Sequence, residues 1–138
     1  MLVKEIMTHR LEYILPTATL REAAGKMRDL NIGSLPVAEN GKLIGMITDR
    51  DICCRGVGDG YDPVRTEVRE IMSRDVAFCF SYDTVNDAVR QMEQRHIRRL
   101  AVLNNDKTIA GLLSVDDLAH YSRQLAGEVL DTVGPVHH

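Results

Sequence analysis

Apolar residues follow a helical spacing in two stretches of the chain. The first stretch begins behind Thr19 and the second behind Thr84. Each threonine is followed by apolar residues at three- and four-residue intervals, which predicts an amphipathic helix with a threonine N-cap. The apolar positions are Leu20, Ala23, Ala24 and Met27 in the first helix and Val85, Ala88, Val89 and Met92 in the second.

Shorter apolar runs flank these helices and predict strands. One brief strand precedes each helix and two follow it. Asn40-Gly41 separates the first following pair, and Asn-Gly between apolar runs is a strong signal for a hairpin. A last helix opens at Thr48 or Ser114, so the predicted order is β-α-β-β-α, twice. The predicted strands are 13–14, 35–37 and 43–47 in the first half and 76–78, 100–103 and 109–113 in the second.

The two halves are copies of each other. Val3-Lys-Glu-Ile-Met-Thr8 returns 65 positions later as Val68-Arg-Glu-Ile-Met-Ser73. After one residue is added in the second hairpin turn, Gly45-Met-Ile-Thr-Asp-Arg-Asp-Ile52 matches Gly111-Leu-Leu-Ser-Val-Asp-Asp-Leu118. A stretch with three glycines and a proline separates the copies and marks a connection. We therefore assign a first repeat to 1–54, a linker to 55–66, a second repeat to 67–127 and a C-terminal tail to 128–138.

A single repeat of roughly 60 residues is marginally stable, because one helix cannot cover the apolar face of its small sheet. Two copies stacked about a pseudo-twofold axis would bury each other's faces. We therefore expect an α/β protein of the α+β type. Its two tandem β-α-β-β-α repeats would leave two equivalent clefts between them.

The polar signature that recurs is Thr48-x-x-Asp51 and Ser114-x-x-Asp117, each where a strand gives way to a helix. One interpretation is structural, because Ser/Thr-x-x-acid is close to a capping box. The other is ligand binding: a carboxylate there can accept hydrogen bonds from both ribose hydroxyls, beside a phosphate at the helix start. The sequence leaves both open. Flat apolar residues available to sandwich a purine are Ile32, Ile97 and Val76.

The order of these motifs resembles the CBS-domain pair, or Bateman module. The pattern is Ile-Met-(Thr/Ser), then Ile-x-x-Leu-(Pro/Ala)-Val, then Gly-x-(Ile/Leu)-(Thr/Ser)-x-x-Asp, given twice between Val3 and about Gly127. The second copy departs from the family only mildly, with Ala101 in place of the proline. The stretch Thr48–Ile52 followed by Asp62-Pro63 is similar to stand-alone bacterial CBS pairs of stress and dormancy responses.

The resemblance implies a regulatory module that binds an adenine nucleotide (AMP, ADP or ATP), or alternatively S-adenosylmethionine or NAD(H). It implies no required cofactor, no metal and no catalysis. It also implies a flat homodimer formed through the helices that open at Thr48 and Ser114. Carried over by position, the first cleft would use Thr48, Arg50, Asp51, Ser73, Val76, Ile97 and Arg98, and the second Ser114, Asp117, Thr8, Tyr13, Ile32 and Gly33.

The second repeat carries Arg98 and Arg99 where the first has Gly33 and Ser34. Guanidinium forks suit phosphate, which favours a phosphorylated ligand in the first cleft. The alternative is that both arginines are solvated or paired with acids such as Glu93.

Charge and composition narrow the function classes. The net charge of −3 argues against nucleic acid as a partner. Without a signal-peptide pattern or an apolar run of about 20 residues, we expect a cytoplasmic protein. No nucleophile–base set or metal-ligand spacing supports an enzyme. His137 and His138 are interpreted as a tag remnant.

Three cysteines, Cys53, Cys54 and Cys79, follow no disulfide spacing. We interpret them as buried thiols, with a regulatory disulfide from Cys79 to Cys53 or Cys54 as the alternative. An interaction dimer without nucleotide, responsive to oxidation through these cysteines, is the second function hypothesis. Its helices would associate through Ile52, Leu118, Ala119 and Tyr121.

Overall fold

The structure is a computed structural model that describes residues 1–9 and 12–133. His137 and His138 lie outside the described residues. No helix within the described ranges is both long and apolar enough to cross a membrane. The elements, in chain order, are α1 (Val3–Ile6), α2 (Leu20–Leu30), β1 (Ser34–Glu39), β2 (Lys42–Thr48), a π-helix (Asp51–Val57), a 3₁₀ turn (Val68–Glu70), β3 (Phe78–Phe80), α3 (Val85–Arg95), β4 (Arg99–Leu103), β5 (Ile109–Ser114), α4 (Val115–Tyr121) and α5 (Arg123–Val133).

The two amphipathic helices form with the predicted caps. Thr19 Oγ1 accepts a hydrogen bond from the amide of Glu22 at 3.1 Å, and Thr84 Oγ1 accepts one from the amide of Asp87 at 3.2 Å. Each hydroxyl satisfies an amide that has no partner within its helix. Both helices end in a left-handed residue, Asn31 in α2 and His96 in α3.

The hairpins also follow the sequence pattern. β1 and β2 pair antiparallel around Asn40 and Gly41, which both have positive φ, as a tight turn of this kind requires. The opening strands differ from expectation. The strand predicted near Tyr13 and Ile14 is reduced to one parallel bridge from Ile14 to Val37. The strand predicted at 76–78 is instead β3, which pairs parallel with β4.

The chain forms two compact units that do not coincide with the two sequence repeats. The continuous unit is made of residues 12–76. The discontinuous unit is made of the described part of residues 1–11 together with that of 77–138. The opening segment of each repeat is therefore exchanged, since it packs with the sheet and helices of the other repeat.

The segments exchanged between the two repeats are the two copies of Val-x-Glu-Ile-Met. Val3 is fully buried in the core of the discontinuous unit, and Val68 is fully buried in the core of the continuous unit. The amide of Val3 donates to the carbonyl of Asp83 at 2.8 Å. In the same way, the amide of Val68 donates to the carbonyl of Ala18 at 2.7 Å. Both segments thus cover the start of an amphipathic helix with a buried valine.

Two glycines allow this exchange. A Cβ at Gly45 would lie 2.6 Å from the sulfur of Met72 and 2.9 Å from the carbonyl oxygen of Ser73. A Cβ at Gly111 would overlap the carbonyl oxygen of Thr8. The glycine of the Gly-x-(Ile/Leu)-(Thr/Ser) motif is therefore needed for the close approach of the exchanged segment.

The last helix differs most between the repeats. In the first repeat it becomes a π-helix, in which the amide of Gly58 donates to the carbonyl of Cys53 at 2.8 Å. In the second repeat it is α4, and α5 follows directly and packs against α3 and α4. Residues 128–133, which the sequence pattern assigned to a tail, are part of α5.

Candidate functional site

The first Thr-x-x-Asp motif forms a reciprocal pair of hydrogen bonds. The amide of Thr48 donates to Asp51 Oδ2 at 3.0 Å, and the amide of Asp51 donates back to Thr48 Oγ1 at 3.0 Å. This is the geometry of a capping box. The capping interpretation of the motif is therefore confirmed, and it occupies one carboxylate oxygen of Asp51.

The second motif forms the same box. The amide of Ser114 donates to Asp117 Oδ2 at 2.9 Å, and the amide of Asp117 donates to Ser114 Oγ at 3.2 Å. The Ser114 hydroxyl also donates to Asp117 Oδ2, at 3.1 Å. Capping again uses a single oxygen, Oδ2.

The remaining oxygens of the two aspartates have different neighbours. Asp117 Oδ1 accepts a hydrogen bond from the Thr8 hydroxyl at 2.9 Å. Asp51 Oδ1 lies 3.7 Å from a guanidinium nitrogen of Arg55, whose side chain is about half exposed. Surface pairs of this kind contribute little to stability. Asp51 thus presents the more available carboxylate oxygen.

The structure assigns the other predicted site residues to one unit or the other. The continuous unit holds Arg50, Ser73, Val76, Tyr13, Ile32 and Gly33 beside Thr48 and Asp51. The discontinuous unit holds Thr8, Ile97, Arg98 and Arg99 beside Ser114 and Asp117. Within the continuous unit, Ser73 is brought to the end of β2 by two backbone hydrogen bonds with Met46, each 2.9 Å long. Within the discontinuous unit, Thr8 is brought to β5 by two with Leu112, of 2.8 and 3.1 Å.

Arg98 and Arg99 have no acidic partner within 4.0 Å in the part of the chain that the structure describes. The ion pair with Glu93, considered as an alternative, therefore does not form there. Arg99 is exposed and Arg98 is half-buried. Both guanidinium groups keep their hydrogen-bond donors available for an anion.

Asp49 is a polar residue near the site that the sequence patterns did not single out. Its amide donates to the carbonyl of Gly33 at 2.9 Å. One of its carboxylate oxygens lies 3.0 Å from the place where a Cβ on Gly33 would stand. Val115 occupies the equivalent position in the second repeat, where the additional carboxylate is Asp116, one position later and equivalent to Arg50. This difference between the two repeats is the sequence signal that could have identified Asp49.

A pocket of about 670 Å³ opens in the continuous unit between α2 and the π-helix. In the discontinuous unit, α5 packs against the two equivalent helices, α3 and α4. Leu118, predicted to be an exposed dimer contact, is fully buried there, whereas Tyr121 is 45% exposed. The pocket residues are Ala24, Met27, Arg28, Asn31, Ile32, Gly33, Asp49, Ile52, Cys53 and Val57.

The cysteines divide into two kinds. Cys79 is buried, as predicted, and its burial, with a smaller contribution from the charge of Asp83, raises the pKa of its thiol to about 12. Cys53 and Cys54 are exposed, so the interpretation of all three as buried thiols is wrong for this pair. They lie on the π-helix, whose side chains face solvent over most of its length. Among the described residues, no group of three or more metal-ligating side chains comes together.

Comparison with known proteins identifies relatives over most of the chain. YhcV of Bacillus subtilis, described as a CBS domain-containing protein, is 36% identical over 133 residues, which are 95% of this chain and 94% of YhcV. Hypoxic response protein 1 of Mycobacterium tuberculosis is 28% identical and covers 86% of this chain and 82% of its own length. The chain therefore resembles these proteins over nearly their full lengths.

Solved structures show the same fold. A crystal structure of Hypoxic Response Protein I with two coordinated zinc ions has a TM-score of 0.80 at 27% identity and covers 88% of this chain and 98% of its own. That of CBSX2 in complex with AMP has a TM-score of 0.76 at 21% identity, with coverage of 90% and 97%, and shows likeness of fold alone. The family model of the CBS domain matches residues 3–55 and again 68–124. The chain belongs to the CBS-domain family and carries a pair of these domains.

Proposed function

We propose that this chain is a regulatory module that binds an adenine nucleotide through its Ser/Thr-x-x-Asp motifs and has no catalysis of its own. The observation that carries the proposal is that the two oxygens of the Asp51 carboxylate have different contacts. Oδ2 caps the helix, while Oδ1 has only the half-exposed Arg55 nearby, at 3.7 Å. A single aspartate can therefore keep the helix start in place and still accept a hydrogen bond from a ligand.

The chemistry of the site fits a ribose with a phosphate. The free oxygen of Asp51 is an acceptor that suits ribose hydroxyls, as a carboxylate does in dinucleotide-binding folds. Ser73 lies at the end of β2 and adds a hydroxyl. Arg98 and Arg99, which have no acidic partner among the described residues, would supply charge for the phosphate. The purine would contact apolar side chains, for which Val76 and Ile97 are the candidates at the Asp51 motif and Ile32 is the candidate at the Asp117 motif.

AMP, ADP or ATP is the proposed ligand class, with S-adenosylmethionine or NAD(H) as the alternative. Support comes from the CBS family and from CBSX2, which shares the fold and was solved in complex with AMP. The regulatory role fits a cytoplasmic protein whose partner responds to the nucleotide state. Hypoxic response protein 1 is a relative whose name places it in a stress response, which fits such a role.

Calorimetric titration with AMP, ADP, ATP, S-adenosylmethionine, NAD and GMP tests the proposal. We expect saturable binding of at least one adenosyl compound and weaker binding of GMP, since the two purines differ in their hydrogen-bonding edges. Adenosine should bind more weakly than AMP, because it lacks the phosphate. Absence of saturable heat with every adenosyl compound would contradict the proposed function and favour the interaction dimer without nucleotide.

We also propose that the chain forms a homodimer through the face of α2 and the π-helix. Val57 is 58% exposed and Ile32 37% exposed at the rim of the apolar pocket described above. Exposed apolar surface of this kind marks association sites. Light scattering at micromolar concentration should show about twice the 15.5 kDa mass. Val57→Asp should restore the monomer, whereas Val64→Asp, also at an exposed valine but outside the pocket, should not; a wild-type particle of 15.5 kDa would contradict the dimer.

A further inference from the structure

The two Ser/Thr-x-x-Asp motifs are alike in sequence but differ in how much of the aspartate is free. In both motifs Oδ2 accepts a main-chain hydrogen bond, from Thr48 at 3.0 Å and from Ser114 at 2.9 Å. Each carboxylate oxygen can accept about two hydrogen bonds, and Oδ1 is the oxygen that the cap leaves open. What touches Oδ1 decides whether each site is ready to bind.

At the Asp117 site, Oδ2 accepts two hydrogen bonds from Ser114 and Oδ1 already accepts one, which leaves one acceptor position for the two ribose hydroxyls. The Thr8 hydroxyl donates to Oδ1 at 2.9 Å, across 109 residues of sequence. The main chain of the threonine is held beside Asp117, because its amide and carbonyl are both hydrogen-bonded to Leu112 on β5, at 2.8 and 3.1 Å. Gly111 is packed directly against the Thr8 carbonyl and leaves no space for a shift in that direction.

At the Asp51 site, the equivalent residue does not make this contact. Ser73 is held by the same pair of backbone hydrogen bonds, to Met46, at 2.9 Å each. Among the described residues its hydroxyl donates no hydrogen bond to Asp51. The nearest charged group to Asp51 Oδ1 is Arg55, at 3.7 Å. Tyr121 replaces Arg55 in the second repeat, so the cation too is confined to one site.

We infer that Thr8 withholds the Asp117 carboxylate from ligand and makes the two nucleotide sites unequal. The Asp51 site binds first, and the Asp117 carboxylate accepts both ribose hydroxyls only after the Thr8 hydrogen bond has been broken. A hydrogen bond to a charged group is typically worth a factor of about ten or more in an equilibrium constant. The second affinity should be lower than the first by about that factor.

This inference rests on the proposed function and reverses the role that the family resemblance implies for Thr8. A ligand-contacting Thr8 would help binding, whereas a Thr8 that competes for Asp117 opposes it. Thr8→Val removes the hydroxyl and keeps the shape of the side chain. The two roles therefore predict changes of opposite sign in the affinity of the second site.

The test is calorimetric titration with AMP of the full chain. Wild type should show two binding events separated by about tenfold. Asp51→Asn should weaken the tighter event by about tenfold to a hundredfold, and Asp117→Asn should weaken the other event instead. Thr8→Val should strengthen the weaker event by about tenfold and leave the tighter one unchanged. Thr17→Val, at an exposed threonine away from both motifs, is the matched control and should change neither event.

Three other results would contradict the inference. Two equal events in wild type, loss of the tighter event in Asp117→Asn, or a Thr8→Val variant that binds AMP no better than wild type would each remove the competing role of Thr8. In these cases AMP still binds, so the proposed function stands. Absence of saturable binding of every adenosyl compound, in wild type and in Thr8→Val alike, would overturn both.

Discussion

Thr48 and Asp51 hold each other through two hydrogen bonds of 3.0 Å, one in each direction. The pair closes the start of the last helix of the first repeat and leaves Asp51 Oδ1 outside the box. Under the proposed function, Oδ2 of Asp51 contributes to stability and Oδ1 to ligand binding. A substitution of Asp51 that keeps one of these two oxygens can separate the two roles.

Asp51→Ala removes both oxygens, and Asp51→Asn keeps one acceptor for the Thr48 amide. We expect the alanine variant to lose about 0.5–2 kcal/mol in its free energy of unfolding, the usual value of a helix cap, and the asparagine variant to lose less. Both should bind AMP more weakly, by about tenfold to a hundredfold. Urea unfolding and calorimetry measure the two effects. An Asp51→Asn variant that binds AMP as wild type does would exclude a role for Oδ1.

Arg98 and Arg99 lack acidic partners in the described ranges, so their charge is available to a phosphate. The double variant Arg98→Ala, Arg99→Ala should lose most of the preference for AMP over adenosine, because charged hydrogen bonds are worth about 1.5–3 kcal/mol each. Arg21→Ala, Arg123→Ala removes the same charge at two exposed positions and is the control. Equal affinities of wild type for AMP and adenosine would argue against any phosphate contact.

Cys79 couples stability to alkaline pH. Burial, with a smaller effect of Asp83, raises the pKa of its thiol from 9.0 to about 12. Below pH 9 the thiol is protonated in both the folded and the unfolded chain. Between about pH 9 and 12 the unfolded chain releases a proton that the folded chain keeps, so the free energy of unfolding falls, by up to about 1.4 kcal/mol per pH unit.

Urea unfolding of wild type and Cys79→Ala from pH 8 to pH 11 isolates this effect, since tyrosines and lysines titrate in both proteins. The stability advantage of wild type should be constant up to about pH 9 and should shrink above it. An advantage that does not change with pH would show that the Cys79 thiol is not shielded.

Thiol alkylation should distinguish the three cysteines. Cys53 and Cys54 are exposed and should react with iodoacetamide in the folded protein, whereas Cys79 should react only after unfolding. Mass analysis after brief treatment should therefore show at most two adducts. A third adduct under native conditions would contradict the buried position of Cys79 and would reopen its pairing with Cys53 or Cys54.

The sequence predicted those elements whose signals are local. Thr19 caps α2 because a hydroxyl three residues ahead of Glu22 can reach its amide. Asn40 and Gly41 turn the first hairpin because both tolerate positive φ. In each case the residues that determine the structure are neighbours along the chain, and their pattern can be recognised without knowledge of the fold.

Features that depend on distant residues were not predictable in this way. Val3 and Val68 open nearly identical segments, so the pattern does not show that each joins the core of the other repeat. In the π-helix, Gly56 lies so close to Leu20 of α2 that a Cβ on the glycine would stand 2.8 Å from Leu20 Cδ1, a contact that the pattern around Gly56 does not show. Thr8 and Ser73 occupy equivalent positions in the two repeats, yet among the described residues only Thr8 donates a hydrogen bond to the aspartate of its motif. Such a contact depends on small differences in side-chain position, which the residue types alone do not determine.

The exchanged opening segments determine the order in which the chain can fold during synthesis. The continuous unit, residues 12–76, is complete as soon as those residues have left the ribosome. Residues 1–4 bond to partners at 81–85, and Thr8 reaches its partners only when Leu112 and Asp117 have been translated. Val3 must therefore wait in the unfolded nascent chain while the middle of the protein folds. We expect Val3 and its neighbours to become protected after residues 12–76 have folded, and a ribosome stalled before Ser81 to hold a folded continuous unit while Val3 is still without its partner Asp83.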